Sequence, residues 1–281
     1  MTPFQTHEKG FTLLEILMAM GIVGVLLTAL IQLTTNVSST SSDLQNRINA
    51  TDATRRLGEV ITQELRSSAF GVVANQPYPS GVNQISVLRP MATSGNTVAG
   101  VGVVPTASFE LSDSITAYMG SLPAVPSGSY LVLLNGASAR LMRTTTATVA
   151  GSTQVLRHAG CQNVLGSSTA TLSLVTPVGF RYDPVNKMLY ERRGAAAETI
   201  MAWNVSTFQL RYTYLNTSTG TETVSNTYQG QSFSNAGVIS RLSRINLTLG
   251  ITENGKTQQL SNTINLVSPT GLNINTYSEC T

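Results

Sequence analysis

Between residues 11 and 33 the chain runs for 23 positions with only Thr12, Glu15, Thr28 and Gln32 interrupting apolar side chains. A helix needs about 20 mostly apolar residues to cross a bilayer. This stretch is long enough to span a membrane and too apolar to face water. It also carries a liability. A carboxylate at the centre of a membrane helix costs roughly 2.5–3.5 kcal/mol on insertion scales, and such residues usually have a partner. Glu15 lies near the start of the run, so the sequence asks what Glu15 pairs with.

A cut after Gly10 supplies an answer. Phe11 then carries a free α-amine, and the amine of one copy meets Glu15 of another. The helix becomes a polymerisation element as well as an anchor. Lys9-Gly10, Phe11-Thr12-Leu13-Leu14-Glu15 and the apolar run after them resemble the amino terminus of type IV prepilins. The resemblance implies removal of residues 1–10 by a prepilin peptidase, methylation of Phe11 and a docking role for Glu15. One departure is visible. Many major pilins carry a proline where this chain has Gln32, so helix melting tied to that proline is not implied. Two plainer readings compete. A secretory signal has a charged start and a short apolar core, but here Glu8 cancels Lys9 and Glu15 lies inside the core. A simple single-pass anchor leaves Glu15 unexplained.

Behind the run, Leu44, Ile48, Leu57, Ile61 and Leu65 recur near helical spacing. One helix over 11–68 would be about 87 Å long at 1.5 Å per residue. Its first half, 11–33, faces lipid or sister helices, and its second half offers an apolar stripe to a sheet. Gly58 is a weak point, costing up to about 1 kcal/mol against Ala.

After Gly71 prolines and glycines break the sequence, and short alternating runs predict strands at 84–89, 130–135, 140–145, 153–158, 179–183, 188–192, 208–215, 241–252 and 257–267. Asn254-Gly255 is a hairpin signal. Residues 91–128 fit either a loop-rich insertion or small extra strands. The expected architecture is α+β: a leader at 1–10, a long helix over 11–68, and an extracellular antiparallel β-sheet head over 69–281, in a pilin-like arrangement. Charged residues are 11% of the chain, well below the about 25% of typical soluble domains. Hydroxyls and amides keep such a surface soluble. The net charge of +3 does not by itself indicate a nucleic-acid partner.

Phe180-Arg181-Tyr182-Asp183-Pro184, Leu189-Tyr190-Glu191-Arg192 and Trp203-Asn204-Val205, followed by Phe208-Gln209-Leu210-Arg211-Tyr212, are similar to the carboxy-terminal part of the longer minor pilins of the W type and of J-type pseudopilins. That similarity implies a minor subunit that primes, caps or decorates a type IV pilus-like filament. It implies inner-membrane residence before assembly and a periplasmic or cell-surface filament afterwards. Its partners would be other pilin or pseudopilin subunits and the prepilin peptidase. The alternatives are a filament-tip binding module for DNA uptake or adhesion, or a J-type component of type II secretion.

Other chemistry is sparse. Cys161 and Cys280 are the only cysteines. Outside the cytoplasm an even count suggests a disulfide, and the loop it would close, on the order of 120 residues, is worth about 4–5 kcal/mol in the chain-entropy model. Free thiols and a bridge between subunits are the alternatives. His7 lies in the leader and His158 has only Cys161 near it, too few ligands for zinc and too few bases for a nucleophilic triad. Asp113, Asp183, Glu110 and Glu191 read as scattered surface carboxylates. No metal, cofactor, small-molecule substrate or enzymatic activity is expected. Arg181, Lys187, Arg192 and Arg193 surround Tyr190. Such a patch can touch phosphate and stack a base, and a solvated hairpin tip explains it equally well.

Overall fold

The computed structural model describes residues 12–68, 71–90, 101–105, 114–118, 125–135, 138–150, 153–158, 169–235, 237–266 and 276–280. It has an α+β layout: one long apolar amino-terminal helix with antiparallel sheets. Helix α1 spans Leu13–Arg66. At its end the Ser68 hydroxyl donates to the Leu65 carbonyl at 2.8 Å, and Gly71 then turns the chain with φ +77°.

The chain divides into two compact units, residues 1–49 and 50–281. In the first, α1 presents its apolar residues on all sides. In the second, Ala50, Leu57, Ile61 and Leu65 are buried at helical spacing. Leu44 and Ile48, expected to extend that stripe, are instead 55% and 53% exposed. The core-facing stripe therefore begins at Ala50.

The head contains two sheets. The first is built from β1 (Val72–Val73), β2 (Gln84–Pro90), β3 (Val101–Pro105), β4 (Ser114–Tyr118), β5 (Tyr130–Asn135), β6 (Ser138–Ala150), β7 (Thr153–His158), β8 (Thr169–Asp183), β9 (Met188–Arg193), β10 (Thr199–Ala202) and β16 (Thr276–Cys280). Its main path runs β1-β2-β8-β5-β6-β7-β4. All its pairings are antiparallel except that of β16, which runs parallel to β6. The second sheet holds β11 (Val205–Asn216), β12 (Glu222–Ser225), β13 (Ser232–Asn235), β14 (Val238–Glu253) and β15 (Lys256–Asn265). Within residues 91–128, β3 and β4 are strands and 91–100, 106–113 and 119–124 lie outside the described residues.

Alternation explains the main core. Phe208, Leu210, Tyr212 and Tyr214 of β11 are buried, as are Ile245, Leu247, Leu249 and Ile251 of β14. They join Leu57, Ile61 and Leu65 of α1 and Ile85, Val87, Val178 and Phe180 of the first sheet. Each such side chain contributes about 1.5–3 kcal/mol on burial. β2 is buried on both faces: Leu88 leaves this core and joins a second cluster with Val73, Val132 and Leu141. Gly179 lets that region close. A Cβ there would stand 2.7 Å from Tyr78 Cδ2 and 2.8 Å from Pro77 Cγ.

Candidate assembly site and the placement of the other candidate residues

Helix α1 begins with a reciprocal pair of side chains. The Thr12 backbone N–H donates to Glu15 Oε2 at 3.2 Å, the Thr12 hydroxyl donates to the same oxygen at 3.3 Å, and the Glu15 backbone N–H donates to Thr12 Oγ1 at 3.3 Å. This is a capping box: two orphan N–H donors at a helix start are each satisfied by the other residue's side-chain oxygen. The carboxylate also sits at the positive end of the helix dipole. Glu15 therefore has a partner in its own chain. The Thr-x-x-Glu spacing is legible in the sequence, but the expectation placed Glu15's partner only in a neighbouring copy. Gly10 and Phe11 lie outside the described residues. Beyond Glu15 the large apolar side chains are exposed, from Ile16 at 49% to Leu33 at 61%, and α1 is long and apolar enough to cross a membrane.

The four basic residues do not share one surface. Arg181 faces Tyr190, and Gly179 faces Arg192, across the ladder of β8 and β9, whereas Arg193 pairs with Val178 on the opposite face. Arg181 is a satisfied group. Its Nη2 lies 2.8 Å from Glu198 Oε2, and its guanidinium stands 4.6 Å above the Tyr190 ring and 5.9 Å from that of Tyr78. The Arg181 hydrogen bond holds the Glu198 carboxyl below the usual range. Arg193 Nη2 meets Glu64 Oε1 at 2.9 Å and Glu191 Oε1 at 2.5 Å. Arg192 Nε donates to the Ala196 carbonyl at 3.0 Å. Lys187 occupies a left-handed position, φ 53°, at the exposed β8–β9 turn.

Two clusters carry much of the polar architecture and escaped the sequence reading. Glu64, near the end of α1, accepts from both Arg89 at 3.0 Å and Arg193 at 2.9 Å, tying the helix to β2 and β9. Glu279 of β16 accepts from the backbone N–H of Ala74 and, at 3.0 Å, from that of Asn75. Burial pushes the Glu279 carboxyl up, against the two N–H donors that favour its ionised form. Both clusters join residues far apart in sequence, which no local pattern reveals.

Cys161 lies outside the described residues. Thr144 N–H and C=O bond to Ser129 and Gly128 on the β5 side of β6, so β7 lies on the other edge, where β16 pairs with residues 138–142. His158 stands opposite Thr144 and Cys280 opposite Met142 on that edge. Among the described residues no group of three or more His, Cys, Asp or Glu is arranged to hold a metal.

Residues 5–31 match the family model of the prokaryotic N-terminal methylation motif. No characterised protein and no solved structure matches the chain at a significant level. The motif is the one borne by precursors of type IV pilins and pseudopilins. It implies processing by a prepilin peptidase and assembly with other pilin subunits. With the single apolar amino-terminal helix, it is consistent with inner-membrane anchoring before assembly.

Proposed function

We propose that this chain is a structural subunit of a type IV pilus-like or secretion filament, and a minor one. It is cut after Gly10, methylated on Phe11, and docked on its neighbour through Glu15. The observation that carries the reading is a coincidence at one place. The methylation motif over 5–31 brackets the Gly10-Phe11 junction, and a capped, outward-apolar helix begins two residues beyond it. A free Phe11 amine would stand four positions before Glu15 in the sequence, and the amine of a neighbouring copy would compete with Thr12 for the carboxylate oxygens. The minor assignment is supported by the strand pattern over 180–212 and by a head large enough to hold two sheets. Mass spectrometry of the protein from its own membranes tests the reading. The expected mature chain starts at methylated Phe11, and Gly10→Ala keeps residues 1–10. A native chain that retains its first ten residues refutes it.

The head is further proposed to be closed by a disulfide between Cys161 and Cys280. Two residues of β6 separate the sites opposite His158 and Cys280, about 7 Å along a strand. Three residues carry the chain from His158 to Cys161, a reach of about 10 Å. These spans are short enough for the two cysteines to reach the about 4.4–6.8 Å Cα separation that a bridge requires. A DNA contact at Arg181, Lys187, Arg192 and Arg193 gains no support from this geometry, because two of the guanidinium groups are held by carboxylates and the cations face two sides.

A further inference from the structure

Among the described residues, the longest sheet-terminal strand of the head has no strand on its outer edge. β15 pairs with β14 over ten consecutive residues without a register shift, and among the described residues it pairs with nothing else. Natural proteins blunt such edges with short strands, prolines, bulges or charges. Here the other outlying strands are short: β1 has two residues, β3, β4 and β16 five each, and β10, β12 and β13 four each. β15 has no proline, no bulge and one charge, Lys256 at its start.

Strand geometry says which groups are open. The two-residue Asn254-Gly255 turn makes Glu253 and Lys256 the closing hydrogen-bonded pair. Even-numbered β15 residues then direct their backbone groups at β14, and odd-numbered ones direct theirs outward. The 2.7 Å contact between the Thr252 and Thr257 hydroxyls fits this, because side chains approach more closely at the non-bonded pairs. Thr257, Gln259, Ser261, Thr263 and Asn265 thus point N–H and C=O groups away from the sheet, and all five are exposed. Beside this edge Arg55, Glu59 and Arg66 of α1 and Leu260 and Asn262 of β15 line an open groove. Arg55 is paired with Glu59 at 2.9 Å. Arg66 has no partner among the described residues.

The geometry points to β15 as a docking edge for an extended segment of a different polypeptide, a neighbouring subunit, added as a further strand. In place of water, a polypeptide satisfies such a row of alternating N–H and C=O groups along its length by adding a backbone in extended form. The segment must run for about nine residues to cover 257–265. It carries hydroxyl or amide side chains toward the exposed sheet face, and an aspartate or glutamate where it passes Arg66. A second copy of this chain is a poor occupant. Its outlying strands other than β15 are too short, and β15 laid against itself brings no acid to Arg66. The polar outer face explains why such an edge does not simply aggregate: the backbone is open, but no apolar side chain drives unspecific pairing.

The inference rests on the filament reading only for where the neighbour comes from. It is tested on the full-length protein by hydrogen exchange and by a benzophenone amino acid placed at Gln259. The detergent-extracted monomer is compared with membranes or filaments from its own cells. Expected are at least ten-fold slower exchange of the Thr257, Gln259 and Ser261 amides in the cell-derived material and an adduct to an acidic extended segment of another subunit. Ser261→Pro, which removes an outward donor and spares the β14 ladder, and Thr263→Lys, which adds an edge charge, both abolish protection and adduct. Ser261→Ala keeps them. Equal exchange in the two preparations, protection that survives Thr263→Lys, or an adduct joining two copies of this chain overturns it. The two readings fail separately: an unprocessed amino terminus counts against the filament reading, and a processed chain with an unprotected β15 counts against the docking edge alone.

Discussion

Glu15 and Glu64 are both acids whose worth depends on which partner holds them. Glu15 closes a capping box with Thr12, and the proposed docking asks it to release that bond for an amine. Gln can fill the capping position but carries no charge. Glu15→Gln should therefore keep slow amide exchange over residues 13–16 and lose filament incorporation. Glu15→Val should lose both, at about 1 kcal/mol of helix-start stability. Wild-type incorporation of the Gln variant would remove the charge from the docking step. Glu64 has no such alternative. Glu64→Gln leaves Arg89 and Arg193 with a weaker acceptor between α1 and the first sheet. The pairs are half-exposed on the arginine side, so the expected loss is about 1–2 kcal/mol in a denaturant titration.

At the scale of elements, Gly58 takes a different meaning from the helix weak point it resembles in the sequence. A Cβ there would stand 2.5 Å from Leu260 Cδ2, so the glycine lets α1 approach β15. Gly58→Ala gains about 1 kcal/mol of helix propensity and spends it moving the end of one leucine, for a melting temperature near wild type. Gly58→Leu should lose about 1–3 kcal/mol by overpacking. Two carboxylates give the head opposite responses to acid. The folded-state pKa of Glu198 is lowered, chiefly by Arg181. Its contribution is present above the unfolded pKa and disappears as pH falls through the folded one. The folded-state pKa of Glu279 is raised, chiefly by burial. Its contribution is fullest below the unfolded pKa and is lost as pH rises through the folded one. Melting temperature against pH should show a shallower acid-side fall in Glu198→Gln and a smaller loss on raising pH in Glu279→Gln. Elements were legible where one face is wet. Residues 208–212 of β11, 245–249 of β14 and the whole of β15 alternate and stand where their pattern puts them. The first half of β8 was not legible, because Leu172 to Val175 and Pro177 to Phe180 are buried without alternation, and a strand covered on both faces shows no period of two. The helix stripe was overextended to Leu44 and Ile48 because periodicity reports a face and not what covers it.

On the scale of the whole molecule, the apolar amino-terminal helix and the methylation motif over residues 5–31 are local in sequence and were readable there. The closure of the head is not local. Residues 276–280 return as a parallel strand on β6, and that topology brings Cys280 near the end of β7. The ladder of five residue pairs and the Glu279 bonds to Ala74 and Asn75 hold β16 without any covalent link. Cys280→Ser should therefore lower stability without abolishing folding, by about 2–4 kcal/mol and less than the full chain-entropy value for so long a loop. Reduction of the wild-type protein should produce the same loss and leave the variant unchanged. The unreduced native chain should resist thiol alkylation at both cysteines and run as a monomer on a denaturing, non-reducing gel. Alkylation of both thiols in that native protein would exclude the bridge. A dimer that dissociates on reduction would move it between subunits, and β16 would then be held in its place by backbone pairing and one half-buried carboxylate alone.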